Sequence, residues 1–130
     1  GGGGFSHLLD RYTLNLTCKA RPKVCFLPTA SGDDDLYIET FHRSFGALGA
    51  LCTHIDLTRP NQVDPRGHLL EQDVIYVGGG NAVQMLAKWR IHGVDLALRD
   101  AWEMGIVLTG LSAGSLCWLR RLQRILGANL

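Results

Sequence analysis

Val74-Ile75-Tyr76-Val77-Gly78-Gly79-Gly80-Asn81 sets four consecutive apolar residues directly before three glycines and a side chain suited to capping a helix. A run that short, with no polar alternation, reads as a strand covered on both faces, the signature of a parallel sheet under helices. Asn81 can cap a helix in which Val83, Leu86, Ala87 and Arg90 lead to a stop at Gly93. The same rhythm extends outward in both directions. Lys23-Val24-Cys25-Phe26-Leu27, closed by Pro28, residues 51–56 and Ile106-Val107-Leu108-Thr109 read as further buried strands. Asp33, Asp34 and Asp35 supply caps and first-turn acids for a helix carrying Tyr37, Phe41, Phe45 and Leu48 until Gly49. Another helix runs from about Asp95 to Glu103, with Leu96, Leu98, Ala101 and Trp102 available for packing and Gly105 as its end. Strand, helix, strand at this spacing predicts an open, mainly parallel α/β sheet with helices on both faces, in one α/β domain over residues 1–130 without internal repeat or linker.

Composition narrows the function classes. The 130 residues are 46% hydrophobic and 19% charged, which suits a globular domain and excludes a disordered chain. Thirteen Lys+Arg against twelve Asp+Glu give a net charge of +1, and the one arginine cluster is Arg120, Arg121 and Arg124, so no nucleic-acid partner is expected. The apolar runs fall far short of the roughly 20 residues a membrane span needs, so a soluble, cytoplasmic protein with no membrane partner is expected. Cys18, Cys25, Cys52 and Cys117 form no CxxC pair and read as reduced thiols, mostly of the core. His7, His42, His54, His68 and His92 show no spacing that puts two imidazoles on one metal, so no metal site is expected.

In open α/β sheets ligands bind beyond the carboxyl ends of the strands. The loops there are Pro28-Thr29-Ala30-Ser31-Gly32, residues 57–61, Gly78-Gly79-Gly80-Asn81 and Gly110-Leu111-Ser112-Ala113-Gly114-Ser115. The last fits G-x-S-x-G, the strained turn that lifts a serine hydroxyl to the top of a sheet between strand and helix. A buried strand ends just before it, and an apolar helix through Leu116, Trp118 and Leu119 follows, which is the context the motif requires. Ser112 is therefore the candidate nucleophile, with a serine cap in a glycine-rich turn as the plain alternative. The glycines of residues 78–80 admit three uses: an oxyanion hole from the N–H groups of Gly80 and Ala113, a phosphate cradle, or a structural tight turn. Their spacing matches neither G-x-G-x-x-G nor G-x-x-x-x-G-K-[ST]. Ser31, Gly79 and Asn81 are candidate substrate contacts.

Val77-Gly78-Gly79-Gly80-Asn81, Trp89-Arg90-x-His92-Gly93, Ala101-Trp102-Glu103-x-Gly105 and Gly110-Leu111-Ser112-Ala113-Gly114-Ser115-Leu116-Cys117-Trp118 closely resemble peptidase E and its relatives, which include cyanophycinase. Gly2-Gly3-Gly4-Phe5-Ser6 and Pro22-Lys23-Val24-Cys25-Phe26-Leu27-Pro28-Thr29-Ala30-Ser31-Gly32 resemble that family's N-terminal blocks. The resemblance implies a class I glutamine amidotransferase-like fold and a cytoplasmic serine exopeptidase without cofactor or metal. Peptidase E removes N-terminal aspartate from dipeptides and some tripeptides, and cyanophycinase cleaves β-aspartyl-arginine units. Carried across, Ser112 is the nucleophile, Gly80 and Ala113 are the oxyanion donors, and small Asp-X peptides are the expected substrates.

The sequence departs from that family in its catalytic partners, and the family chain is nearly twice as long. The family's histidine and acidic partner follow the serine, whereas no His, Asp or Glu occurs here after Glu103. The chain opens on Gly1-Gly2-Gly3-Gly4 without methionine. The expectation is that a first strand and the C-terminal part of the domain, with the catalytic base, lie outside the chain shown. A cyanophycinase-like or other exopeptidase, or an inactive binding module, is the rival expectation. Strands lacking their neighbours expose backbone groups, so a homodimer is a further expectation.

Overall fold

The computed structural model describes residues 7–58 and 64–110. Its centre is the strand Lys23–Leu27 (β1), in which Val24, Cys25, Phe26 and Leu27 have no solvent exposure. β1 pairs in parallel with Leu51–His54 (β2) on one side and Val74–Val77 (β3) on the other, and β3 pairs in parallel with Val107–Gly110 (β4). The sheet order is β2-β1-β3-β4. Parallel neighbours require crossovers, and these are supplied by Asp35–Ala47 (α2), Pro65–Leu70 (α3), and the pair Ala82–His92 (α4) and Val94–Glu103 (α5), with His7–Asn15 (α1) preceding β1.

Alternation along the strands divides the core in two. Val24, Phe26, Val74 and Tyr76 pack with Leu14 of α1 and Ile38, Phe41 and Phe45 of α2. Phe26 stacks on Phe41 at a ring-centroid distance of 4.7 Å. Cys25, Leu27, Ile75 and Val77 pack on the other face against Leu69 of α3, Met85 and Trp89 of α4, and Val94, Ala97, Leu98 and Ala101 of α5. Both faces of β1 and β3 are thus covered, the physical reason their sequences read as continuous apolar runs. The expected parallel α/β sheet with helices on both faces is the fold observed.

Local departures have local causes. The strand expected over residues 51–56 stops at His54, because Asp56 turns the chain by accepting Thr58 N–H at 2.9 Å and Thr58 O–H at 2.6 Å. In α4 the buried positions are Met85 and Trp89, whereas Val83 is exposed. In α5 the helix buries Val94 and Ala97 beside Leu98 and Ala101, and Leu96 faces solvent. The helices α1 and α3 were not anticipated. Gly93 both ends α4 in a left-handed conformation, φ +72°, and begins α5. Of the cysteines, Cys25 is buried, Cys52 is half-buried and Cys18 is exposed, all three as free thiols. Burial pushes the Cys25 thiol up to about 12, so it behaves as an inert core group. Among the described residues no helix is long and apolar enough to cross a membrane.

Candidate active site

The carboxyl ends of β1 and β3 are joined by a compact set of contacts. After β1, Pro28 leads into one 3-10 turn, Thr29–Ser31. Trp89, fully buried in α4, donates its indole N–H to Thr29 Oγ1 at 3.1 Å and so anchors that turn to the helix that starts after β3. Ser31 O–H donates to the Pro28 carbonyl at 2.8 Å, and its oxygen accepts Asp34 N–H at 3.3 Å. The hydroxyl proposed as a substrate contact is therefore engaged in shaping the turn into α2.

The glycine loop after β3 lies directly on this turn. Gly78 N–H donates to Leu27 O at 3.0 Å, Gly79 N–H to Tyr37 Oη at 3.1 Å, and Asn81 N–H to Ala30 O at 2.7 Å. Gly80 N–H donates to no acceptor among the described residues, and Gly80 is exposed. The glycines are sterically required at two points. A Cβ on Gly78 would come within 2.9 Å of Phe26 Cε1 and 3.0 Å of Tyr37 Cε2, and one on Gly80, at φ +146°, would collide with the Ala30 carbonyl. Asn81 caps α4 as expected, its Oδ1 accepting Gln84 N–H at 3.1 Å, which leaves its amide nitrogen as the group for other partners.

The neighbouring strand β4 ends at the same edge, at Gly110, the first residue of the serine motif. Val77 and Gly110 are register partners across β3 and β4, so the two strands end side by side, strands of this kind lying about 4.8 Å apart. Gly80 follows Val77 by three residues and Ser112 follows Gly110 by two. Ser112 and Ala113 themselves lie outside the described residues.

Residues 1–126 match the model of peptidase family S51. The chain belongs to that family. It is 46% identical over 123 residues to "Uncharacterized peptidase YgaJ" of Bacillus subtilis, covering 91% of this chain and 54% of that protein. It is 33% identical over 116 residues to "Peptidase E" of Streptomyces coelicolor, covering 88% of this chain and 45% of that one. The 1.5 Å crystal structure of a "Putative Peptidase E Protein" from Listeria monocytogenes superimposes with a TM-score of 0.63 at 25% identity, over 82% of this chain and 55% of the other. The chain thus spans about half the length of the curated relatives it matches, and the glutamine amidotransferase-like fold is the one found.

Within this S51 chain the described histidines lie away from the glycine loop. His54 ends β2, two strands from β3, and its Nδ1 sits 2.8 Å from His42 Nε2. His68 Nε2 is 2.8 Å from Thr53 Oγ1 on the α3 side. His92 is the exposed last residue of α4, a helix that starts at the carboxyl edge and runs away from it. A residue of this edge that sequence reasoning took for a simple cap is Asp33. The cap of α2 is Asp34, whose side chain accepts Tyr37 N–H. Asp33 instead adopts φ +58°, is buried, and accepts Leu57 N–H and Thr58 N–H through Oδ2, each at 3.2 Å. Burial, with the charge of Asp56 behind it, pushes the Asp33 carboxyl up to about 6. The positional signal was available: with Asp34 as the cap and Asp35 in the first turn, Asp33 is one acid more than the helix start needs.

Proposed function

We propose that this chain carries the nucleophile and oxyanion donors of a serine exopeptidase of the peptidase E type, hydrolysing small peptides, foremost N-terminal Asp-X dipeptides. The observation that carries the reading is Gly80. Of the four successive N–H groups in residues 78–81, three hold the loop in place, and the Gly80 N–H is left without an acceptor among the described residues. A rigidly held, exposed donor beside the strand that leads to Ser112 is what stabilisation of a developing oxyanion requires.

Ser112 Oγ attacks the scissile carbonyl carbon while its proton passes to a base. The carbonyl oxygen takes the negative charge, facing the N–H groups of Gly80 and Ala113. Collapse breaks the C–N bond with proton transfer to the departing amine, and water then hydrolyses the ester, freeing the acid and Ser112. Residues 113–130 hold no His, Asp or Glu, so the base comes from another part of the intact protein or from a histidine that precedes Ser112. The family membership and the relative named peptidase E support the reaction class, and the substrate preference is the finer part of the proposal.

Turnover of Asp-X, Leu-X and β-Asp-Arg peptides by the intact protein and by its Ser112→Ala variant tests the reading. Ser112→Ala is expected to lower turnover by a factor of about 10³ or more. Equal turnover by both proteins overturns the serine mechanism, and preference for Leu-X or β-Asp-Arg overturns the aspartate specificity.

A further inference from the structure

The aromatic ring of Tyr37, in the first turn of α2, packs edge-on against that of Phe26, with centroids 4.9 Å apart and planes at 73°. Phe26 is fully buried in β1, so the core fixes where the phenol points. It points at the glycine loop. Tyr37 Oη accepts Gly79 N–H at 3.1 Å, a tie between groups 42 residues apart in sequence. Burial raises the phenol above its ordinary pKa against this N–H, so the acceptor is the neutral hydroxyl near neutral pH.

The consequence follows from which peptide planes are held. The 78–79 plane is tied through Gly79 N–H to Tyr37, and the 80–81 plane through Asn81 N–H to Ala30 O at 2.7 Å. The plane between them carries the Gly80 N–H. With glycine on both sides of it, that plane would rotate over a wide range were its neighbours not fixed. We propose that Tyr37 is a positioning residue for hydrolysis at Ser112, its hydroxyl holding the glycine loop so that the Gly80 N–H is aimed at the acyl oxygen. The proposal rests on the oxyanion role given to Gly80 above.

Tyr37→Phe keeps the ring and removes the hydroxyl that accepts Gly79 N–H. Gly79 is exposed, so water replaces the lost partner and the fold is little affected, while the aim of the donor is loosened. In the intact protein, with the best substrate of the three-peptide panel, kcat is expected to fall about tenfold to hundredfold with KM changed less than about twofold. The midpoint of thermal unfolding is expected to stay within about 2 °C. Affinity for a peptide aldehyde, whose adduct with Ser112 places an oxygen at the same donor, is expected to fall by the same factor as kcat/KM. An unchanged kcat, or a loss of activity that merely tracks the folded fraction, overturns the role of Tyr37 while Ser112→Ala still abolishes turnover. If Ser112→Ala is as active as the parent, or the parent cleaves none of the peptides, the underlying serine reading falls instead.

Discussion

Gly80 lies so close against Ala30 that a Cβ on the glycine would collide with the alanine carbonyl, and its φ of +146° is one that side chains rarely adopt. The carbonyl cannot retreat easily, because it accepts Asn81 N–H at 2.7 Å and belongs to the turn anchored by Trp89. Gly80→Ala is therefore expected to destabilise the fold by about 2–5 kcal/mol and to reduce peptide hydrolysis by more than about 100-fold. Gly79→Ala is the control, since a Cβ there meets nothing within 4 Å. It is expected to leave the unfolding midpoint near that of the parent. Thermal melts of both variants check the pair, and equal midpoints for the two would contradict the close approach.

The anchor beneath the loop makes a second prediction. Trp89 is fully buried, and its indole N–H has Thr29 Oγ1 as acceptor at 3.1 Å. Thr29→Val keeps the shape and strands the donor away from water, at an expected cost of about 1–3 kcal/mol. Thr29→Ser retains the oxygen and gives up only a methyl group, at about 1 kcal/mol. Urea denaturation should therefore rank Val below Ser, and the reverse order would show that the indole does not depend on the hydroxyl.

Which features were legible in the sequence follows from where the burial lies. β1 and β3 are covered on both faces, so their apolar runs are unbroken, and the cap at Asn81 and stop at Gly93 are set by local backbone chemistry. In α1 the exposed residues include Leu8, Leu9 and Tyr12 while Asp10 and Leu14 are buried, so its hydrophobic pattern points away from the sheet and gives no usable periodicity. The short α3 did carry a signal, Asp64 as cap and Pro65 in the first turn, but too few residues to show a period. At the site, the glycines of residues 78–80 stood out by composition. That Gly80, alone of residues 78–81, has an N–H without an acceptor among the described residues could not be read from them, because the partners of the other three come from Leu27, Ala30 and Tyr37, far away in sequence.

Asp33 links two loops at the carboxyl edge and makes stability depend on pH. Its folded-state pKa is raised to about 6, by burial first and by Asp56 second. The folded protein therefore binds this proton more tightly than the unfolded chain. The stabilising contribution is complete below the ordinary carboxylate range and is lost as pH rises through about 6. Asp33→Asn keeps an oxygen for Leu57 N–H and Thr58 N–H, tolerates the left-handed backbone and removes the charge. The variant is expected to unfold several degrees higher than the parent at pH 8 and at about the same temperature at pH 4. A gain that is the same at both pH values would mean that the charge of Asp33 is not its cause.

His42 acts in the opposite direction over an overlapping range. Burial, and the neighbouring His54 whose Nδ1 lies 2.8 Å away, lower its pKa below the ordinary histidine value. The unfolded chain then takes up this proton more readily, so stability present above the ordinary histidine pKa is lost as pH falls through it toward the lower folded value. Acidification from pH 7 to pH 5 therefore strengthens the fold at Asp33 while weakening it at the histidine pair. His42→Gln retains a hydrogen-bonding group opposite His54 without a titrating ring, and its melting temperature is expected to fall less than the parent's between pH 7 and 5. Asp33→Asn is expected to fall more, because it removes the compensating gain. Melting curves of the three proteins at these two pH values separate the contributions, and parallel shifts in all three would show that neither group controls the acid response.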